Sequence, residues 1–337
     1  MKTKRKSPAK RKSRGTRKAN PPRHAAKRAN SGWKLRQADG LQVLEAPALQ
    51  QLKWLTHGFS TRPGGASAMK SANGEKRGPT KAGKVLNLGF TDWDDRSMVL
   101  ENRGKFFGAI GAEGMRAVVL RQVHSDIIHR VDSSNPVAIE SWPQGDALIT
   151  NEPGILLTIQ TADCIPILLA DPENRAIAAI HAGWRGTVRR IAAKALGRMQ
   201  MEFGTKPEDV IVALGPGIGR CCYEVGPDVA KEFADQFPEA RDWFDGQFEA
   251  LSVGDPRDAD PNWLPWLTMK PPGHAPEAPK LHLDLIAANR AILAAAGIPP
   301  ANIASSEHCT ACRTDLFFSY RRERETGRMM AAIGIDL

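Results

Sequence analysis

The 337-residue sequence lacks any uninterrupted apolar run close to the ~18 residues that a membrane-spanning helix needs, which excludes a helical transmembrane protein. Cysteine is also scarce, and its five copies are an odd number that cannot form a complete disulfide framework. Such usage is typical of the reducing cytosol, so we expect a cytoplasmic protein. Hydrophobic residues make up 42% of the chain and charged residues 25%, a composition that excludes global disorder and supports a large packed core.

Acidic residues are absent from the first 38 positions, which hold fifteen of the 47 Lys and Arg. The rest of the chain therefore carries 32 basic residues against 37 acidic ones, and the net charge of +10 belongs to the N-terminal arm. Because the arm has almost no large apolar residue before Trp33, it cannot bury enough surface to offset the entropy of ordering. We expect residues 1–38 to form a disordered basic arm, which either has no defined partner or binds a polyanion weakly through counterion release.

Two stretches within residues 39–337 predict excursions from a folded body. Residues 68–84 are polar and rich in Gly and Lys, and residues 252–280 contain seven prolines. Proline at this density excludes a regular helix or a central strand. Elsewhere short apolar runs alternate with helical patterns, so we expect a single catalytic domain with a mixed α/β (α+β) sandwich fold.

The apolar runs predict buried strands, and two segments have helical spacing. Strands are expected at residues 117–124, 155–159, 164–170, 176–181, 209–214 and 329–335. One helix is expected over residues 188–199 with Thr187 as its N-cap, and another between Asp284 and Gly297. The sequence leaves the order of the strands open.

Three residues at the ends of predicted strands are candidate metal ligands: His124, Cys164 and His181. Strand ends are positions from which a rigid scaffold presents side chains to a cleft. Two imidazoles and one thiolate suit a zinc ion that keeps a fourth position open for water, whose pKa the ion lowers. The spacing alone also fits three side chains that lie in unrelated places.

Further motifs accompany these three residues: QVHSD, GDALIT, TADCIPILLAD, AIHAGWRGT, LGPGIGRCCYEVG and FFSYRRERETGR. In this order they resemble the YfiH-like laccase-domain family, whose members are also called polyphenol oxidases or purine nucleoside phosphorylases. The resemblance covers the chain from about His57 to its C-terminus, apart from the two excursions. It implies the mixed α/β sandwich also seen in a bacterial deamidating toxin. It also implies zinc bound by the residues of QVH, TADC and HAGW, which are His124, Cys164 and His181 here.

The activities implied by the resemblance are phosphorolysis of adenosine, inosine, guanosine or methylthioadenosine, and deamination of adenosine. A purine nucleoside and phosphate are therefore the expected substrates. Asp163 is a candidate acid/base catalyst, although a turn carboxylate that faces away is an equally simple interpretation. Arg62, in a Gly-rich turn, is the favoured phosphate ligand, ahead of Arg185, Arg321 and Arg322.

Other residues permit weaker interpretations. Asn87 and Gln122 could hydrogen-bond a ribose or a base, and Trp184 could stack on a purine. Cys309 and Cys312 form a single Cys-x2-Cys pair, which is weak evidence for zinc, so we expect free thiols there.

Three alternative functions compete with a zinc-dependent purine nucleoside enzyme. A copper-dependent polyphenol oxidase is one, because copper can occupy a His/Cys site, although no two histidines are two positions apart as in multicopper oxidases. A metal-free Cys-His hydrolase acting in peptidoglycan-precursor editing is another, with Cys164 as nucleophile and His124 or His181 as base. The third is an RNA-associated protein that binds through the arm, which the acidic body argues against.

Overall fold

The computed structural model describes residues 32–69, 83–133, 143–246, 248 and 280–337. Residues 31–337 form one compact unit, as expected for a single domain. Most of the predicted arm and of the predicted excursions at residues 68–84 and 252–280 lies outside the described residues. Within the described ranges, every helix is too short or too polar to cross a lipid bilayer.

The predicted disorder of the arm is wrong for its last five residues. Strand β1 (Lys34–Ala38) pairs in antiparallel register with β2 (Leu41–Glu45) across a two-residue turn with positive φ at both positions. This turn geometry matches the twist of a hairpin. The backbone ladder and the bond from Arg36 Nε to Glu45 Oε1 at 2.7 Å order a segment that has little apolar surface of its own.

The first of two large sheets has six strands. Besides β1 and β2, they are β3 (Leu55–Ser60), β6 (Arg116–Val118), β9 (Ile155–Thr161) and β17 (Met329–Ile335). Their order is β1-β2-β3-β17-β9-β6, and every neighbouring pair is antiparallel except the parallel pair β6–β9.

The second sheet also has six strands, and its centre is the antiparallel hairpin of β10 and β11. The strands are β7 (Ile128–Arg130), β8 (Ala147–Thr150), β10 (Ile165–Asp171), β11 (Ala176–Ala182), β12 (Ile211–Leu214) and β16 (Ile303–Ser305). They are ordered β16-β12-β10-β11-β8-β7, with parallel pairs at both edges.

Smaller elements complete the fold. The short strands are β4 (Pro63–Ala68), β5 (Lys84–Val85), β13 (Glu224–Val225), β14 (Phe244–Asp245) and β15 (Leu281–Leu283). The helices are α1 (Arg96–Ala109), α2 (Trp184–Val188), α3 (Ile191–Phe203), α4 (Pro227–Gln236), α5 (Leu285–Ala295) and α6 (Tyr320–Glu323).

The two large sheets pack face to face, and helices cover their outer faces. Phe59 and Ile333 of the first sheet share a buried core with Leu168 of the second. On the far sides, α1 packs on the first sheet through Phe106, and α3 and α5 pack on the second. Side chains alternate between the two faces of a strand, so β10, which is covered on both faces, is apolar at every position except its last, Asp171. The expected mixed α/β sandwich is therefore confirmed.

One of the two predicted helix caps is confirmed, and the other cap and two predicted element boundaries are wrong. The Asp284 carboxylate accepts a hydrogen bond from Ala287 N at 2.9 Å and caps α5, as predicted. Thr187 is not an N-cap, because it lies inside α2 and its hydroxyl donates to Gly183 O at 3.0 Å. The predicted single helix is divided at Arg190, which has a left-handed conformation with φ of 59°. The strand predicted to end at His124 ends at Val118 instead.

The inter-sheet core predicts the cost of a large-to-small substitution. Leu168 is 0% exposed between the sheets, so Leu168→Ala should lower the free energy of unfolding by about 3 kcal/mol through lost burial and a residual cavity. Leu100→Ala is the matched control, because Leu100 is 50% exposed on α1 and should change stability by less than about 0.5 kcal/mol. Urea denaturation of both variants gives the comparison, and equal losses would contradict the assignment of this core.

Candidate active site

The three predicted metal ligands converge, although 40 and 17 residues separate them along the chain. The ligand atoms of His124, Cys164 and His181 all lie within 4.8 Å of one another. Cys164 Sγ is 3.8 Å from His124 Nε2, and the two imidazole centroids are 4.9 Å apart. The β10–β11 hairpin explains part of this arrangement, since Cys164 immediately precedes β10 and His181 lies beside Pro166 near the same end.

One buried carboxylate positions both histidines. Asp146 Oδ1 is 2.8 Å from His181 Nδ1 and accepts a hydrogen bond from His124 N at 3.0 Å. Its other oxygen accepts from Ser125 N at 2.6 Å and from Ser125 Oγ at 2.7 Å. Because Nδ1 of His181 is engaged, its Nε2 is the nitrogen available to a metal ion. Asp146 was missed by sequence reasoning, although an acid directly before the wholly apolar strand β8 could have indicated it.

The loop between β6 and β7, which carries His124, has an unusual backbone conformation at that residue. His124 has φ of 58° and therefore leaves the direction of β6, with its backbone N–H aimed at Asp146. This conformation is uncommon for a residue with a side chain. The carboxylate of Asp146, which is 0% exposed, holds the backbone N–H groups of residues 123–125 and so offsets that conformational cost.

The electrostatics of the centre favour a protonated His181 between the thiolate of Cys164 and the carboxylate of Asp146. Burial opposes ionisation of Cys164, but His181 and the hydrogen bond from His124 together lower its pKa to about 6. Burial likewise opposes protonation of His181, but the Cys164 sulfur and Asp146 raise its pKa to about 9. For Asp146, the hydrogen bonds from His181 and Ser125 outweigh burial and lower the pKa to about 2. Cys164 is thus a thiolate at neutral pH, which is the form that binds metals.

The three residues open onto a cavity of about 720 Å³. Four aromatic residues line it: Phe90, Trp184, Tyr223 and Tyr320. Four arginines line it as well: Arg121, Arg185, Arg321 and Arg328. In the part of the chain that the structure describes, none of these guanidinium groups forms an ion pair with a carboxylate. The cavity therefore combines flat apolar rings with arginines that form no ion pair among the described residues.

Asp163 reaches the cavity, and its carboxylate is already oriented. Among the described residues it is the only carboxyl group in the cavity lining. One oxygen accepts from Thr310 Oγ1 at 2.6 Å and the other from Arg321 N at 2.7 Å. The residue is 8% exposed and has φ of 92°, so it lies in a turn before β10 rather than on the strand.

Arg62 does not reach the cavity. Its guanidinium is buried, with the residue 3% exposed, and Nη1 contacts both carboxylate oxygens of Glu323, at 3.0 and 3.1 Å. The same nitrogen donates to Thr314 O, and the group lies 5.1 Å from the centroid of Phe318. The expectation that Arg62 binds phosphate is corrected accordingly, because a paired and buried guanidinium has no free fork for a ligand.

The weaker candidates divide between the cavity and the scaffold. Arg185, Arg321 and Trp184 line the cavity as expected, whereas Arg322 donates to Cys222 Sγ instead. Gln122 lines the cavity, but its amide is bonded to the backbone of Gln160 at 2.7 and 2.8 Å.

Asn87 and His57 belong to the scaffold. The fully buried Asn87 amide bonds Gly89 O and accepts from Arg328 N at 2.9 Å. His57 Nε2 accepts from Ala46 N at 3.1 Å, and burial lowers the pKa of its imidazole to about 4.

Comparison with known proteins agrees with the fold and identifies the family. The family model described as multi-copper polyphenol oxidoreductase laccase matches residues 56–336. "Purine nucleoside phosphorylase" of Deinococcus radiodurans is 38% identical over 301 residues, which cover 88% of this chain and 94% of the relative. "Adenosine deaminase RL5" of an unknown prokaryotic organism is 33% identical over 272 residues, 78% of this chain and 91% of the relative.

A solved structure shows the same architecture. The crystal structure of hypothetical protein YfiH of Bacillus licheniformis superposes with a TM-score of 0.69 and 30% identity, and the match covers 88% of this chain and 98% of that one. Fold and centre together define an α/β sandwich with a His/Cys site in an arginine-lined cavity. The chain belongs to the laccase-domain family, which confirms the resemblance drawn from its motifs.

The position of Asp146 predicts the effect of replacing it. Asp146→Asn should weaken zinc binding at the His/Cys centre by about 10- to 100-fold, because the amide no longer fixes the tautomer and orientation of His181. Asp171→Asn is the matched control, since Asp171 is equally buried but lies at the far end of β10. Competition with a chromophoric chelator measures both affinities. An unchanged affinity in Asp146→Asn, or an equal loss in both variants, would contradict the positioning role.

Proposed function

We propose that this protein is a zinc-dependent purine nucleoside enzyme that cleaves nucleosides with phosphate and deaminates adenosine in the same cavity. One observation carries the proposal. A single cavity combines a His/Cys donor set, four aromatic rings and four arginines that form no ion pair among the described residues. The printed names of the relatives, purine nucleoside phosphorylase and adenosine deaminase, support the same substrate class. The five free cysteines suit the cytoplasmic location that we propose with it.

The donor set of the centre fits zinc. Two imidazoles and one thiolate are ligands that zinc prefers, and three protein ligands are the number found in its catalytic sites. His124, Cys164 and His181 would hold the ion, which, when bound, supplies Lewis-acid chemistry at an open position. Asp146 accepts a hydrogen bond from Nδ1–H of His181, so the proton that the neutral imidazole keeps would be at Nδ1 and the lone pair of Nε2 would face the ion.

The aromatic residues form the site for the base. A purine is a flat ring system, and offset stacking or edge contacts on aromatic side chains stabilise it without long flexible groups. Trp184 lies three residues after His181, just beyond the end of β11, so a base that stacks on it would lie beside the centre. Tyr223 and Tyr320 line the same cavity.

The arginines form the site for phosphate. Guanidinium forks match the oxygens of a phosphate, and a dianion would neutralise charge that the protein leaves unpaired in the described lining. Arg321 is oriented by the bond from Nη1 to Glu224 O at 2.7 Å, and Arg185 lies 4.4 Å from the ring centroid of Trp184. Arg328 donates through Nη1 only to backbone carbonyls of residues 326 and 327. It is therefore free of competing acidic partners within the described residues.

Asp163 is our candidate for proton transfer. Both reactions leave a nitrogen that must take up a proton, and a positioned carboxyl group can supply it. The hydrogen bonds from Thr310 and from the Arg321 backbone fix the carboxylate beside Cys164 in the cavity wall. Each oxygen accepts one of these bonds and keeps a second lone pair, which could take a proton from the attacking water or phosphate and return it to the leaving nitrogen.

The direct test is incubation with adenosine in the presence and absence of phosphate, followed by separation of the products. We expect adenine and ribose-1-phosphate with phosphate, and inosine without it. Cys164→Ser should abolish both activities, while Leu100→Ala on the exposed face of α1 should retain them. Zinc-loaded protein that converts neither adenosine, inosine, guanosine nor methylthioadenosine would refute the proposal.

If the cavity arginines bind phosphate, replacing one of them should affect phosphorolysis more than deamination. Arg328→Met should raise the KM for phosphate about tenfold or more, because a charged hydrogen bond to the anion is lost, while phosphate-independent deamination changes less. Arg198→Met is the matched control, since Arg198 is a surface residue paired with Glu202 outside the cavity. Steady-state kinetics with varied phosphate measure both, and an unchanged KM in Arg328→Met would remove Arg328 from the phosphate site.

A metal-free Cys-His hydrolase is the second candidate, and one observation favours it. Cys164 lies 3.8 Å from His124 Nε2 with a pKa lowered to about 6, as a nucleophile paired with a base requires. The two functions predict opposite responses to a chelator. The zinc enzyme should lose turnover on chelation, regain it with added zinc, and expose Cys164 to faster alkylation. Turnover that survives chelation would support the hydrolase, and one equivalent of copper with phenol oxidation would support the oxidase.

A further inference from the structure

Four cysteines outside the candidate active site converge on one point. Cys221 and Cys222 lie in the loop before β13, and Cys309 and Cys312 lie in the loop after β16. Their four sulfur atoms lie within 4.8 Å of one another, with Cys312 Sγ 3.5 Å from Cys221 Sγ and 3.4 Å from Cys222 Sγ. All four are free thiols, so no disulfide accounts for the cluster.

The spacing of the sulfurs fits tetrahedral coordination. Zinc binds a thiolate at about 2.3 Å, so the edges of a regular four-sulfur tetrahedron are about 3.8 Å long. The observed separations, from 3.4 Å up to the 4.8 Å limit, bracket that edge. Small side-chain rotations are enough to equalise them, because each cysteine has a single χ1 torsion to adjust.

Backbone hydrogen bonds order the two loops that carry the four cysteines. Cys312 N and Arg313 N both donate to Cys309 O, at 3.2 and 3.1 Å, which makes a tight turn between the Cys309 and Cys312 ligands. In the other loop, Cys222 N donates to Gly219 O at 2.9 Å. Both pairs of sulfurs are therefore presented by turns rather than by flexible chain.

Hydrogen-bond donors directed at the sulfurs of Cys309 and Cys222 stabilise the thiolate form of these two cysteines. Gly219 N donates to Cys309 Sγ at 3.2 Å, and Arg322 Nη2 is 3.3 Å from Cys222 Sγ. A side chain at Gly219 would bring its Cβ to 3.2 Å from Cys309 Cβ, a tight contact, so glycine lets the two loops approach without displacing Cys309. An arginine beside four thiolates also reduces the excess negative charge that one divalent ion leaves.

From this geometry we infer a second metal site, in which Cys221, Cys222, Cys309 and Cys312 bind one zinc ion. Four protein ligands close the coordination sphere, so the site is structural and leaves no position for substrate. The sequence expectation of unligated thiols at Cys309 and Cys312 is replaced by this inference. The inference does not depend on the proposed nucleoside activity, because it concerns a different set of residues.

The site has a structural consequence for the cavity. Thr310, between the two ligands of the second loop, donates to Asp163 Oδ1. Tyr223, directly after Cys222, lines the cavity, and Ile218 N donates to Asp163 O at 2.7 Å. An ion that joins the two loops thus fixes one wall of the cavity without touching the substrate.

Metal counting by native mass spectrometry tests the inference on the full chain purified without added metal. Wild-type protein should carry two zinc ions, and Cys164→Ser, which empties the His/Cys centre, should carry one. Adding Cys309→Ser and Cys312→Ser to Cys164→Ser should remove that ion, whereas His124→Ala added instead should leave it. A Cys164→Ser protein without zinc, or with another metal in its place, overturns the inference.

A second measurement serves if the variants of Cys309 and Cys312 do not fold. Titration of Cys164→Ser with a thiol-specific mercurial should release its zinc in step with the modification of four thiols, as read by a chromophoric zinc indicator. Alkylation of a separate, unmodified sample in denaturant should label all four. Labelling of two or fewer would reveal a disulfide and overturn the inference. Absence of nucleoside turnover in a protein that holds both ions would refute only the proposed function.

Discussion

The hydrogen bonds of a single buried carboxylate organise the candidate active site. Asp146 binds the imidazole of His181 on one strand and the backbone of the His124 turn on another segment. Without these bonds, the left-handed backbone at His124 and the buried charge on His181 would both be unfavourable. Strand pairing within the second sheet places Asp146, which precedes β8, beside β11, so the pairing of these strands determines where His181 meets its carboxylate.

Ion pairing distinguishes Arg62 of the scaffold from the arginines of the cavity. Arg62 is buried and balanced by Glu323, and it joins two distant segments of the chain. The cavity arginines form no ion pair with a carboxylate among the described residues, so they are available to a ligand. The residue type is the same in both cases. The difference comes from the carboxylate that the tertiary structure does or does not bring within reach.

The two cysteine-containing centres share one wall of the cavity. Asp163 precedes the Cys164 ligand and accepts from Thr310, which lies between two residues of the four-cysteine cluster. This short chain of contacts connects the structural site that we infer to the catalytic site that we propose. A bound ion at the four-cysteine cluster would hold this wall of the cavity in place, as our proposed function requires.

The sequence by itself determined the layered α/β class, the strands at the centre of both sheets and the three candidate ligands that converge. Apolar runs with a fixed period report burial directly, and the motifs carried a family resemblance that named His124, Cys164 and His181. Only the tertiary structure decided that Asp146 supports them, that Arg328 rather than Arg62 faces the cavity, and that four cysteines meet. These relations join residues up to hundreds of positions apart, and sequence periodicity contains no information about such contacts. Lys34–Ala38 show the same limit, because a polar segment became a strand only through the ladder that its neighbour offers.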